Sequence, residues 1–273
     1  MELPTEAPST VFMSWFLMGC SRRALPPVQD MDLDELIAAM KRYGYDGLEA
    51  RVEWDHASGI EASLTADERA AVRAKLEANG LELCCVATGV RMADPDRAAR
   101  AKHIEDLHTY IDLAADLGAT KVRTFGGPQA GRKGELHAAV EYAVEGYAQC
   151  VDHAAERGVT ILMETHDDWS NSASVRAVVE RLNHPNLKVL WDCMHPQRML
   201  ESVEESFAAV GQHTEHVHAH DGVYDPETGG LASPPPPLGK GVFDHQTPWK
   251  LLDEIGCACP HNPRKILRSG ELH

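Results

Sequence analysis

A chain of 273 residues, 43% hydrophobic and 25% charged, has enough apolar material for one sizeable core and is too apolar for general disorder. Its formal net charge of −16 at pH 7 repels phosphate backbones, which argues against nucleic acid as a ligand. A small neutral molecule, or an anion held by a local Arg or a metal, stays compatible with that charge.

The seven cysteines, an odd number, include the scattered Cys20, Cys84, Cys85, Cys150 and Cys193. These read as buried thiols in a reducing compartment, so a cytoplasmic location is expected. Cys257-Ala258-Cys259 has no second cysteine pair beside it and is not read as a metal site. Near the start, Val11 to Cys20 is apolar, and Leu17-Met18-Gly19-Cys20 resembles a lipoprotein cleavage site. Glu2 and Glu6 precede that run without any Lys or Arg, and the run is too short to span a membrane. A first buried strand is the better reading, and no membrane association is expected.

The first helix opens at Asp32-Leu33-Asp34-Glu35, whose early acids suit the N-terminal dipole, and ends near Gly44. Gly47-Leu48-Glu49-Ala50-Arg51 is a short second strand. Thr65 caps the next helix with Glu68 at the capping-box position, and that helix runs to Gly80. Leu81 to Thr88 is strand-like. A long helix from about Pro95 to Leu117 closes on Gly118, and Ala119 to Phe125 is a strand ending at Gly126-Gly127-Pro128. Glu135 to Arg157 reads as one helix stopped by Gly158, followed by a strand from Val159 to Glu164. Helix Ser174 to Leu182 leads to strand Leu187 to Asp192, and helix Val203 to Val210 leads to Glu215-His216-Val217-His218-Ala219-His220-Asp221. Alternation along this last strand sends His216, His218 and His220 to one face.

Serial strand and helix units with continuously apolar strands build a parallel sheet covered by helices. This many in series favour closure, so the expected fold is α/β, a (β/α)8 barrel, with residues 1–273 as a single domain. No Gly-x-Gly-x-x-Gly follows any strand, which argues against a doubly wound sheet. Gly222 to Asp244 is a Gly- and Pro-rich loop containing Pro234-Pro235-Pro236-Pro237, placed where barrel enzymes carry lids. Trp249 to Ile255 is one more helix. Little follows Gly256, so the eighth unit is expected to be atypical or incomplete, its strand drawn from Lys265 to Leu272.

In a parallel barrel, residues at the C-terminal ends of different strands converge on one pocket. Glu164 and His166 end the fifth strand with the same facing, Asp192 ends the sixth with His195 three residues on, and His218 and His220 end the seventh. Two carboxylates and an imidazole suit a divalent cation such as Mn2+, Mg2+, Co2+ or Zn2+. Each residue also has a plainer reading: Glu164 paired with Arg123, Asp192 capping the following helix, His195 on a backbone carbonyl. Together they resist those readings, because apolar strands that each end in a charged or imidazole group would bury unpaired polar groups against one another.

Met163-Glu164-Thr165-His166-Asp167, Trp191-Asp192-Cys193-Met194-His195 and His216-Val217-His218-Ala219-His220-Asp221 resemble the fifth, sixth and seventh strand motifs of the xylose-isomerase-like sugar isomerase/epimerase superfamily. The likeness extends to Val122-Arg123-Thr124-Phe125-Gly126-Gly127 and Gly239-Lys240-Gly241-Val242-Phe243-Asp244, and covers the chain from about Gly47 to Gly256. Such proteins are (β/α)8 barrels whose divalent metal is held by Glu, Asp, His and a last Glu on the eighth strand. The resemblance implies Glu164, Asp192 and His218 as the first three ligands, with His216 behind them. It makes Glu164 also the candidate base, His195 the histidine that touches substrate, and His166, Arg123 and His220 further substrate contacts, His220 standing where a Lys is usual. The tail departs from the family. Cys257-Ala258-Cys259-Pro260-His261 occupies the place of a Gly-containing turn and a strand ending in Glu, and Glu271 is the only Glu left to act as fourth ligand.

The activity this resemblance implies is a divalent-metal-dependent isomerisation or epimerisation of a ketose or related polyol through an enediolate, or a dehydration, acting on a small-molecule sugar or sugar phosphate. Two other readings stay open. The tail supports a non-catalytic or impaired sugar-binding barrel. A metal-dependent hydrolase resembling the abasic-site endonucleases of this fold is opposed by the charge and by the lack of their extra histidine ligands. A homo-oligomer is compatible with the sequence.

Overall fold

The computed structural model describes residues 12–13, 28–128, 135–219, 221–224 and 239–255. Seven parallel strands lie in sequence order: β1 (Phe12–Met13), β2 (Gly47–Arg51), β3 (Glu82–Arg91), β4 (Lys121–Phe125), β5 (Thr160–Glu164), β6 (Leu187–Asp192) and β7 (Thr214–His218). β1 belongs to the strand expected over Val11 to Cys20, and it pairs with Gly47 and Leu48. His220, Glu271, Cys257 to Cys259, the four-proline run and the expected eighth strand lie outside the described residues.

The connecting helices are α1 (Leu33–Tyr43), α2 (Ala66–Ala78), α3 (Arg97–Leu117), α4 (Glu135–Ala148), α5 (Val151–Glu156), α6 (Ser172–Leu182) and α7 (Val203–Val210), with α8 (Gln246–Glu254) after β7. Their starts follow local chemistry. Asp32, Thr65 and Ser202 each close a capping box with the Glu three residues on, at α1, α2 and α7. The single helix expected from Glu135 to Arg157 is two helices broken at Gln149-Cys150. Gln149 and Cys150 turn back on Gly146 and Tyr147 with three-residue hydrogen bonds. The Cys150 side chain is buried at the break, and Gly146 one turn earlier packs close to Met92. No described helix is long and apolar enough to cross a membrane.

The sheet curls. Flat, it would hold β2 and β7 about 24 Å apart at about 4.8 Å per neighbour. Instead a Glu49 carboxylate oxygen on β2 lies 3.0 Å from His218 Nε2 on β7. That contact needs the barrel arrangement, with side chains of distant strands meeting inside. The apolar residues divide accordingly. Most pack between strands and helices, while Cys84, Cys85, Leu162 and Leu190 make a separate cluster. Leu162 and Leu190 are each fully buried there, worth about 1.5–3 kcal/mol apiece.

Candidate functional site

Strand register brings the polar residues of the interior together. Glu164 lies beside Leu190 and Leu190 beside His216, while Asp192 lies beside His218 one step nearer the strand ends. His218 sits between two carboxylates: its Nδ1 donates to Glu164 Oε1 at 2.9 Å, and its Nε2 donates to Glu49 at 3.0 Å. His216 Nε2 donates to the other Glu49 oxygen at 2.8 Å. Glu49, Glu164, Asp192, His216 and His218 are all buried.

Burial by itself would push His218 toward neutrality, but the charges of Glu49 and Glu164 overcome it and raise its pKa to about 10. Burial likewise opposes ionisation of the two glutamates. The His218 charge prevails at both, helped at Glu164 by Arg123 and at Glu49 by the two histidine hydrogen bonds, so each is held well below the usual carboxylate range. Asp192 goes the other way, its pKa raised because burial outweighs the pull of His195. His216 is lowered by burial, consistent with a neutral ring donating to Glu49.

Arg123 forms the next layer. Its Nε is 3.3 Å from Glu164 Oε2, its Nη1 donates to the Thr88 carbonyl at 2.7 Å, and its guanidinium lies 4.1 Å from the Phe125 ring centre. Phe125 is followed by a row of rings, with His166 4.8 Å from Phe125 and His195 4.4 Å from His166. Arg198 Nη1 donates to His195 Nδ1 at 3.4 Å. Asp192 Oδ1 accepts from the Met194 and His195 N–H groups, and Thr165 ties β5 to β6 by donating its hydroxyl to the Asp192 carbonyl. Behind this wall Trp169 donates to the Gly127 carbonyl at 2.8 Å. A Cβ at Gly126 would fall 2.3 Å from the Trp169 ring, so the Gly126-Gly127 pair is what admits it.

Two loops flank the strand ends. After β7, the buried carboxylate of Asp221 accepts from the N–H groups of Gly222, Gly239, Gly241 and Phe243. A Cβ at Gly241 would sit 2.1 Å from Asp221 Oδ1, so glycine is required for that close approach. After β2, Glu53 and Asp55 take positive φ values of 77° and 51°, a costly conformation for residues with side chains. Glu61 Oε2 accepts from the Glu53 N–H, and Glu53 Oε2 accepts from the Gly89 N–H, which fixes the turn.

Glu164, Asp192 and His218 lie in one interior cluster, with Arg123 against Glu164 and His166 against His195. The plainer reading of Glu164 holds as well, since it pairs with Arg123, whereas Asp192 accepts from the Met194 and His195 N–H groups in the turn after β6 without being the N-cap of the short helix there. What the motifs missed is Glu49. It is a lone acid on β2 whose partners are 167 and 169 residues away. The signal available was its place between Leu48 and Ala50 in a buried strand, where an alternating position must face inward.

The donors suit a divalent cation. Glu164, Asp192 and His218 each offer one ligand atom within 4.8 Å of the others, and Glu49, His216 and His218 form a second set at the same spacing. Glu164 Oε2 is buried and, although ion-paired with Arg123 Nε at 3.3 Å, receives no hydrogen bond, so it keeps lone-pair capacity for a hard cation. Because His218 carries a proton below about pH 10, loading a cation onto it should release about one proton per ion at pH 8. Titration calorimetry in buffers of different ionisation enthalpy measures that number, and a value near zero would remove His218 from the ligand set.

Among curated proteins none matches the chain in sequence. Solved structures do match its fold. A xylose isomerase domain protein from Planctomyces limnophilus is 18% identical with a TM-score of 0.67, covering 86% of this chain and 88% of that one. A D-psicose 3-epimerase studied in the presence of D-fructose is 18% identical with a TM-score of 0.66, covering 83% and 76%. A xylose isomerase-like TIM barrel protein from Mycobacterium smegmatis in complex with magnesium is 20% identical with a TM-score of 0.63, covering 90% and 88%. The sequence profile of the xylose isomerase-like TIM barrel matches residues 37–261. With strand order, curled sheet and strand-end motifs all in agreement, the chain belongs to the xylose isomerase-like TIM barrel family.

Proposed function

We propose that this single-domain barrel is a divalent-metal-dependent isomerase or epimerase acting on a ketose or related sugar through an enediolate. The observation that carries the reading is the convergence of Glu164, Asp192 and His218 in a buried interior cluster beside Arg123 and two imidazoles. Family membership supports it, as do structural neighbours named as a D-psicose 3-epimerase and a magnesium complex.

Glu164, Asp192 and His218 would hold the ion. A bound divalent cation supplies positive charge that lowers the cost of taking a proton from carbon next to a carbonyl. The chain's own residues do the rest. Glu164 can take that proton at a carboxylate oxygen, and its lowered pKa keeps it ionised to do so. His195 and His166, tilted against each other with ring centres 4.4 Å apart, stand where they can hydrogen-bond substrate oxygens. Arg123 orients Glu164 from one side, and the buried surroundings of both exclude bulk water from the reacting carbon.

The test is proton exchange. A panel of ketoses incubated with protein and Mn2+ in heavy water should take up deuterium at the carbon beside the carbonyl, read by NMR. Epimer should build up more slowly than deuterium, because the fourth family Glu has no counterpart in sequence at its usual place. No cation-dependent exchange with any ketose, at a verified cation content, would favour the sugar-binding reading instead.

A further inference from the structure

In this acidic chain several arginines are ion-paired, Arg69 with Asp116, Arg123 with Glu164 and Arg176 with Glu180. Arg51 is half-buried with its Nε fully enclosed, yet makes no hydrogen bond or ion pair among the described residues. Its place in the fold makes that notable. It is the last residue of β2 and shares the face of Glu49, so it points to the inside of the barrel at the C-terminal mouth. In register it lies beside Ala87, and Ala87 beside Arg123, which sets two guanidiniums at one height across a position bearing only a methyl. The Trp54 ring, 56% exposed, lies 4.1 Å from the Arg51 guanidinium carbon and is presented by the turn that Glu53 and Asp55 hold in positive φ.

We propose that Arg51, with Arg123 beside it and Trp54 covering its flank, captures an oxyanion on the substrate, so that the substrate class is a sugar acid or sugar phosphate rather than a neutral ketose. This rests on the isomerase or epimerase reading of the same site. A guanidinium fork binds a carboxylate or phosphate through two parallel hydrogen bonds, and a neighbouring ring holds the fork in plane. Burial and the nearby charge of Arg123 lower the Arg51 pKa, the charges of Glu164 and Glu49 offset only part of that, and a bound anion would add to the offset.

The experiment is calorimetric binding of three probes that differ in one group, D-arabinitol, D-arabinonate and D-arabinitol 5-phosphate, to the full chain with and without Mn2+. At least one anion should bind about tenfold or more tighter than D-arabinitol, a difference of about 1.4 kcal/mol, in both conditions. The better of the two anions identifies carboxylate or phosphate. Arg51→Met should abolish the advantage while leaving D-arabinitol binding within about twofold, and Arg51→Gln serves in its place if the Met variant loses its cooperative melt. Equal binding of all three probes, an advantage seen only with Mn2+, or an advantage surviving in a folded Arg51 variant would overturn the proposal. The cation-free measurement involves no turnover, so an anion advantage with no heavy-water exchange on ketose phosphates and keto sugar acids would leave this site standing and reject the isomerase reading alone.

Discussion

Glu164→Gln is expected to lower divalent-cation affinity by about a hundredfold or more and to abolish cation-dependent exchange. The substitution keeps size and an oxygen toward His218, so shape is preserved while the ligand charge is lost. Changes merely behind a metal ligand cost about 10–100-fold in affinity, and loss of a charged ligand should reach at least the top of that range. The fold should survive. Arg123 loses its counter-ion but keeps its bond to the Thr88 carbonyl at 2.7 Å and its seat on Phe125. Cation titration beside a thermal melt separates the two effects. Unchanged affinity in a folded variant would take Glu164 out of the site.

Glu49→Ala should have the largest effect on stability. It removes the carboxylate shared by the buried His216 and His218, leaving His218 with Glu164 alone, and removing one member of a buried ionic set costs about 3–5 kcal/mol. For a chain of this size the melting temperature should fall by on the order of 10 °C. The pH dependence has a definite sign. Glu49 and Glu164 are depressed, so their contribution is complete above the ordinary value of 4.5 and fades as pH falls below it. His218 is raised, so its contribution is complete below the ordinary value of 6.5 and fades as pH climbs through about 10. The cost of Glu49→Ala in the cation-free protein should therefore be greatest between pH 4.5 and 6.5 and shrink toward both ends. A melting temperature within about 2 °C of wild type at pH 6 would show that the network does not hold the barrel.

Much of the fold could be read from residues because its signals are local. Asp32 with Glu35 and Thr65 with Glu68 announce helix starts, and Leu187 to Asp192 is apolar enough to be a strand whatever surrounds it. The site was legible where chemistry clusters along the chain, as in Glu164-Thr165-His166 or His216-Val217-His218. Where function depends on one residue meeting a distant one, the sequence is silent: Glu49 reads as an ordinary acid two places from an Arg until β7 curls around to meet it. The break at Gln149-Cys150 escaped because no Gly or Pro stands there to announce it.

Asp221 gives the family motif a second meaning. By gathering four backbone N–H groups it fastens Gly222 to Gly239, Gly241 and Phe243, so the two ends of the segment 225–238 are joined before anything between them is specified. Lengthening a loop whose ends are already fixed costs only about 0.6 kcal/mol per doubling. Selection can thus rewrite that segment in length and composition without renegotiating how the barrel folds. The two stand three residues apart, His218 inside the buried cluster and Asp221 fastening the chain beside it.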